Sequence, residues 1–281
     1  MIAILDSDNL APAPIAAALT YSVPTGERPI AETRVTGMPT VYSNENTADH
    51  NVAIHDIRPI ADQLSLDRHG FVLTQHETRV TDFYDETELR EIYYPEIEDL
   101  LMSLAGAVRR VHTFDHTLRH GDEAVQEARR LREPVKMVHN DYTDWSGPER
   151  VRDLLPDEVP NLRQQRFAII QVWRPIQEVI QQQPLAICDA RTIASGDLIA
   201  AERRHPKRIG ETYHIAFNPD HRWFYVPEMK RNEALVFKTY ESATDGRARF
   251  TGHTSFEDPN SPIGARPRES IEVRALVFFE D

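Results

Sequence analysis

Arg166-Phe167-Ala168-Ile169-Ile170-Gln171-Val172-Trp173 is the stretch on which the architecture turns. Its apolar side chains follow one another with little polar interruption, as in a central strand covered on both faces. Downstream the texture is strand, turn, strand: Leu185 to Asp189, Thr212 to Asn218, Trp223 to Val226, Ala234 to Tyr240, Arg249 to Phe256 and Ser270 to Phe279. Asn218-Pro219-Asp220, Asp245-Gly246 and Asp258-Pro259-Asn260 mark turns between them. Upstream, Val52 to Asp56 and Phe71 to Thr74 read as strands and Arg58 to Asp67 as a loop or short helix. Asp85 is placed to cap a helix whose first turn carries Glu86 and Glu88, with Pro95 expected to interrupt it. Ile97, Leu100, Leu101, Leu104 and Val108 then recur at helical spacing. Val108 to Leu118 is a further strand, and the charged stretch Asp122 to Arg132 separates it from the segment around His139. Past Pro148, a short helix precedes Pro156. A helical layer followed by many short antiparallel strands predicts a mainly β fold with flanking helices, built on a double-stranded β-helix of jelly-roll, cupin-like type.

The 281 residues are read as one domain. Residues 1–50 form an N-terminal wrapping arm, where Pro12, Pro14, Pro24, Pro29 and Pro39 rule out long helices and Val35 to Tyr42 holds a strand or two. Residues 51–134 form a helical and strand support layer, and residues 135–281 the core.

Charge and cysteine content exclude several functions. The formal net charge is 32 − 45 = −13. The basic clusters Arg109-Arg110, Arg129 to Arg132 and Arg203 to Arg208 are small, which argues against nucleic acid as a partner. Cys188 is the single cysteine, so no internal disulfide or zinc ribbon can form. The N-terminus lacks a basic region and long apolar stretch, and no run approaches the ~18 residues of a spanning helix. A cytoplasmic location and no membrane partner are the expectation.

The chemistry is concentrated in Val135-Lys136-Met137-Val138-His139-Asn140-Asp141-Tyr142-Thr143. On an extended segment His139 and Asp141 share a side and Asn140 points away. One imidazole and one carboxylate on one face are two thirds of the facial triad that holds non-haem Fe(II) with open coordination positions. His253, 253 − 139 = 114 residues on and next to Gly252, is the preferred third ligand, ahead of His214 and a His221 expected at the surface. His120-Gly121-Asp122 repeats the spacing, but Gly121 and the charges after it suggest a loop or helix start. Arg268 and Ser270 then share a face on the last strand, where a guanidinium fork beside a hydroxyl suits the far carboxylate of 2-oxoglutarate. Arg274 is the fallback anchor. Tyr142, Trp145, Trp173 and Tyr213 are candidate walls of a substrate pocket. Arg174 and Arg191 are candidates for pairing with an acidic substrate, an ordinary buried ion pair being the plainer reading. In this order the residues suit an oxygenase using Fe(II), 2-oxoglutarate and O2, with ascorbate as the reductant in vitro.

From His50-Asn51-Val52 onward the chain resembles the gibberellin-desaturase-like hydroxylase/desaturase family, which includes AsaB-like enzymes and the CmcJ component of cephamycin methoxylation. The stretches that carry the resemblance include Leu66 to Phe71, Tyr93-Tyr94-Pro95-Glu96, Asp115 to Arg119 and Val138 to Thr143. It continues through Val172-Trp173-Arg174-Pro175, Pro184 to Asp189, Trp223 to Met229, Gly252 to Phe256 and Pro267 to Arg274. The resemblance implies a double-stranded β-helix, mononuclear Fe(II), 2-oxoglutarate, O2 and oxidation of a specialised metabolite by hydroxylation, desaturation or oxidative cyclisation. Two readings compete with turnover: a cupin-like metal-binding module, and a non-catalytic partner subunit. The sequence is compatible with a homo-oligomer or with a pathway partner protein.

Overall fold

The computed structural model describes residues 13–33, 41–158, 165–206 and 208–280. The smaller of its two sheets is antiparallel throughout, in the order β5 (Phe71–Gln75), β13 (Glu233–Glu241), β8 (Phe167–Pro175), β15 (Glu269–Phe279) and β6 (Val108–His120). β8 lies at its centre with all nine residues buried, as its apolar run predicts. Its two faces do different things. Ala168, Ile170 and Val172, with Ile271, Val273, Ala275 and Val277 of β15, pack under helical residues Tyr93, Ile97, Leu100 and Leu101. Each such fully buried aliphatic side chain contributes roughly 1.5–3 kcal/mol. Gln171 and Trp173 of β8 and Ser270, Glu272 and Arg274 of β15 occupy the opposite face, toward the larger sheet.

The larger sheet has ten strands in the order β1 (Ile15–Val23), β4 (Asn46–Asp56), β12 (Trp223–Tyr225), β9 (Leu185–Cys188), β14 (His253–Ser255), β7 (His139–Asn140), β11 (Arg208–Ile215), β10 (Leu198–His205), β2 (Ile30–Glu32) and β3 (Val41–Ser43). Isolated bridges from Thr20 to Met137, just before β7, and from Ser22 to Ala216, just after β11, bring β1 back onto this part of the sheet. The sheet thereby curls around a cluster of Leu19, Tyr21, Val138, Ile215 and Trp223. Two facing sheets, with helices on the outer side of one, realise the expected double-stranded β-helix.

Several local expectations are corrected. Pro95 does not interrupt the helix. Asp85 caps α1 (Glu86–Glu88), which passes through a π-helical turn at Leu89–Tyr93 into α2 (Tyr94–Leu104), so Pro95 falls in the first turn of α2. The charged stretch after β6 contains α3 (Glu123–Arg129), capped by Asp122 and closed by Arg130 at φ 56°. No apolar periodicity announces it. β1 and β10 also form where composition spoke weakly. Alanine-rich β1 is held by Ala17, Leu19 and Tyr21 in the core, and charged β10 by eight residues of pairing with β11. Only His253–Ser255 of the segment Arg249 to Phe256 is strand. The strand expected from Val35 falls outside the described residues up to position 40, with β3 at its end.

Candidate metal centre

β7 and β14 pair through His139 and His253, which stand directly opposite one another. Their imidazoles therefore share a face, with ring centroids 4.4 Å apart. Asp141, two residues beyond His139, places Oδ1 3.5 Å from His139 Nε2 and 4.0 Å from His253 Nε2. One ligand-capable atom from each of the three lies within 4.8 Å of the others. Both rings use Nδ1 to meet the carbonyl two residues before them, Met137 at 2.8 Å and Thr251 at 3.0 Å. That leaves each Nε2 lone pair turned toward Asp141.

The electrostatics suit a cation. Burial, reinforced by His139, pushes the His253 imidazole down to about 4, so it is neutral at pH 7. Burial alone would raise Asp141, but its contact with His139 and the charge of Arg274 outweigh that and hold the carboxyl well below its ordinary range. Two imidazoles and one carboxylate are the borderline-hard donor set that Fe(II) accepts.

The support is specific. Asn140 is fully buried and points away from the triad, as expected. Its Nδ2 donates to the carbonyls of Tyr142 (2.7 Å) and Thr239 (2.8 Å), and its Oδ1 accepts from Thr251 N (3.1 Å). One side chain thus ties the Asp141 loop to the segment two residues before His253. Gly252, just before β14, leaves room for the Ile215 side chain, because a Cβ there would lie 2.7 Å from Ile215 Cδ1. Phe237 of β13 packs its ring 4.8 Å from that of His253.

Arg274 does not stand free as an anchor. Its Nε donates to Asp115 Oδ1 (2.7 Å), Nη1 to Asp141 Oδ2 (3.2 Å) and Glu272 Oε1 (3.4 Å), and Nη2 to Thr117 (2.9 Å). Four of its five N–H groups are engaged, one of them with Asp141. Arg119 completes the network with a two-pronged grip on Glu272 at 2.8 and 3.0 Å.

Arg268 is the opposite case. It is 1% exposed, yet no carboxylate forms an ion pair with it among the described residues. Nη1 meets the Gln183 carbonyl at 2.8 Å and Ser255 Oγ at 3.4 Å, Nε has no partner, and the guanidinium lies 5.4 Å over the Trp173 ring. Burial, with Arg119 nearby, pushes its pKa down to about 9, more than the Glu272 carboxylate offsets. Ser270 Oγ and Trp173 Nε1 are likewise buried without partners. Ser255 lies two residues beyond His253 on the same face of β14, a rise of ~7 Å. Arg268 Nη1 reaches Ser255 Oγ, so the guanidinium and three buried polar atoms without partners (Arg268 Nε, Ser270 Oγ and Trp173 Nε1) belong to the part of the inner face next to Ser255.

The remaining candidates scatter. Tyr142 is buried with its phenol pushed up to about 12, and packs with Phe250, Tyr240 and Leu276. Tyr213 stands opposite Asn140, with its ring edge-on to Phe250 at 5.0 Å. Trp145 is 47% exposed at the start of α4 (Ser146–Leu154), and Trp173 lies under Arg268. His120 Nδ1 accepts from Asp122 N, and Asp122 caps α3, so that His-x-Asp pair is spent on a helix start. His221 is buried, contrary to the expected surface position, between Tyr21 and Asp197. His214 meets Glu45 at 2.9 Å, Arg191 pairs with Asp189, and Arg174 is buried against His76 and the Arg231 carbonyl.

Residues 19–278 match a family model described as an oxidoreductase/YMDC permease-like domain. The hydroxylase/desaturase efuI of Hormonema carpetanum is 33% identical over 82% of this chain and 84% of its own length. The Fe(II)/2-oxoglutarate-dependent dioxygenase nvfI of Aspergillus novofumigatus is 32% identical over 87% and 89%. A solved structure of the iron and alpha-ketoglutarate-dependent endoperoxidase NvfI superposes with a TM-score of 0.82 and 26% identity, covering 96% of this chain and 99% of that one.

Proposed function

Because the chain belongs to the hydroxylase/desaturase family of Fe(II)/2-oxoglutarate-dependent oxygenases, we propose that His139, Asp141 and His253 are its iron ligands and that Arg268 and Ser270 receive the far carboxylate of 2-oxoglutarate. The activity is oxidation of a small specialised metabolite with Fe(II), 2-oxoglutarate and O2. The observation that carries the site assignment is the convergence of three donor atoms from β7, the loop after it and β14 within 4.8 Å. When bound, the iron and the 2-oxo acid supply the oxidising power. This chain's residues supply position and exclusion of water. Arg274 holds the second oxygen of Asp141, leaving the first facing His139 Nε2 and His253 Nε2, where it would serve as a ligand. Met137 and Thr251 carbonyls fix the imidazole tautomers. Arg268 discriminates for an acid bearing a second carboxylate, because only such a ligand neutralises the buried guanidinium. Tyr142 and Tyr213 flank the Asp141 loop and are our choice for substrate-facing walls. What supports a single unit is the pairing of β4 with β12 and of β2 with β10, which ties Ile30–Glu32 and Asn46–Asp56 into the larger sheet.

The test is turnover with Fe(II), 2-oxoglutarate and ascorbate, reading O2 consumption and succinate. Succinate from the wild type that disappears in Asp141→Ala supports the assignment. No succinate under any loading, with tight Zn(II) or Ni(II) binding, supports a metal-binding module instead. No helix among the described residues is long and apolar enough to cross a membrane.

A further inference from the structure

We propose that Gln171 is a further 2-oxoglutarate-binding residue, donating its side-chain amide to the carboxylate at the metal end of the molecule. The inference rests on the ligand assignment proposed above and extends it to a residue on the sheet opposite the triad.

Gln171 is 1% exposed at the centre of β8, yet its Oε1 has no hydrogen-bond partner among the described residues. A buried amide left unsatisfied is unfavourable, and an apolar residue of similar volume would avoid the penalty. Its place in the register says what it is for. Directly opposite it on β15 is Arg274, which holds Asp141, and directly opposite it on β13 is Phe237, whose ring packs against His253. Cross-strand neighbours share a face, so the Gln171 side chain lies between the residues that back two of the three triad members. Ser270, at the far end of the proposed cosubstrate site, is four residues from Arg274 along the same face of β15, and Arg268 immediately precedes that strand. The two ends of an amide exchange by rotation about its last torsion, so the position offers an NH2 donor to an anionic oxygen. Arg274 already spends four of its five N–H groups on Asp115, Asp141, Glu272 and Thr117.

The experiment is an anaerobic titration of 2-oxoglutarate into Fe(II)-loaded wild type, Gln171→Leu, Gln171→Glu and Arg268→Met, following the visible charge-transfer band. In Gln171→Leu the dissociation constant should rise about ten- to hundredfold, the loss expected for one hydrogen bond to a charged oxygen. The band maximum should also shift, because the contact is to the carboxylate beside the metal. Gln171→Glu, an acceptor of the same shape, should lose more. Arg268→Met should weaken binding without moving the band, and Fe(II) retention should match wild type in Gln171→Leu. A wild type that gives no band removes the iron and 2-oxoglutarate assignment and this inference with it. A normal wild-type band with unchanged affinity and maximum in Gln171→Leu overturns the Gln171 role alone. Failure of Gln171→Leu to fold also overturns it, since that would show the amide serving a protein partner.

Discussion

Replacing Arg268 with Met separates a ligand-binding arginine from a structural one, because the two predict opposite changes in the free protein. The guanidinium is buried over Trp173 with one good hydrogen bond, to the Gln183 carbonyl, and no carboxylate. Met keeps the packing over the indole and removes that bond, a loss of roughly 1–2 kcal/mol. It also removes a buried, unneutralised charge, whose effective penalty is several kcal/mol. The balance favours the variant. Its melting temperature without ligands should be unchanged or higher, by about 2–4 °C for each net kcal/mol in a chain of this size. Binding should move the other way. Two charge-assisted hydrogen bonds to a carboxylate, after exchange with water, account for about 3–4 kcal/mol, or roughly 10²–10³ in dissociation constant. Scanning fluorimetry without ligand and anaerobic calorimetry of 2-oxoglutarate binding to the Fe(II) protein measure the two quantities. A variant that melts many degrees lower, or one that binds 2-oxoglutarate as wild type does, would refute the assignment.

Asn140→Leu should destabilise by about 3–5 kcal/mol in urea unfolding, because it strands the backbone groups of Tyr142, Thr239 and Thr251 that its amide joins. Arg274→Met should weaken Fe(II) binding about 10–100-fold by releasing Asp141, and unfolding should show a loss of about 3–5 kcal/mol from the uncovered acids. Glu272 gives a pH signature: burial would raise its carboxyl, but Arg119 and Arg274 win and hold it at about 2. A depressed carboxyl stabilises the fold above its unfolded value near 4.5 and loses that contribution as pH falls from there toward 2. Glu272→Gln should therefore lose roughly 3 kcal/mol at pH 7 and show a flatter decline between pH 4.5 and 2; equal slopes in both proteins would contradict this.

The range of each interaction decides how much of the molecule could be read from the sequence. Period-two alternation is local, so His139 and Asp141, and Arg268 and Ser270, were legible as pairs sharing a face. His253 was legible because a Gly beside a strand His signals close approach, and Gly252 meets Ile215 there. The role of Arg274 was not legible. It depends on the register that sets Asp115 of β6 opposite it and on the Asp141 loop reaching it from the other sheet. Asn140 could be read as pointing away, but not toward what, since two of its three partners lie 99 and 111 residues off in sequence. Gln171 passed as one polar residue in an apolar run until its neighbours on β13 and β15 were fixed. β10 was obscured by its charges, which are tolerated because the strand is only partly buried.

The central claim is tested most directly by counting iron. Equilibrium dialysis of the anaerobic protein against Fe(II) should give one tightly held ion per chain, with binding weakened about 100-fold in His253→Ala, which removes one of the three donor atoms. Retention of a full equivalent of iron by that variant, at wild-type affinity, would show that the three side chains do not act as one site.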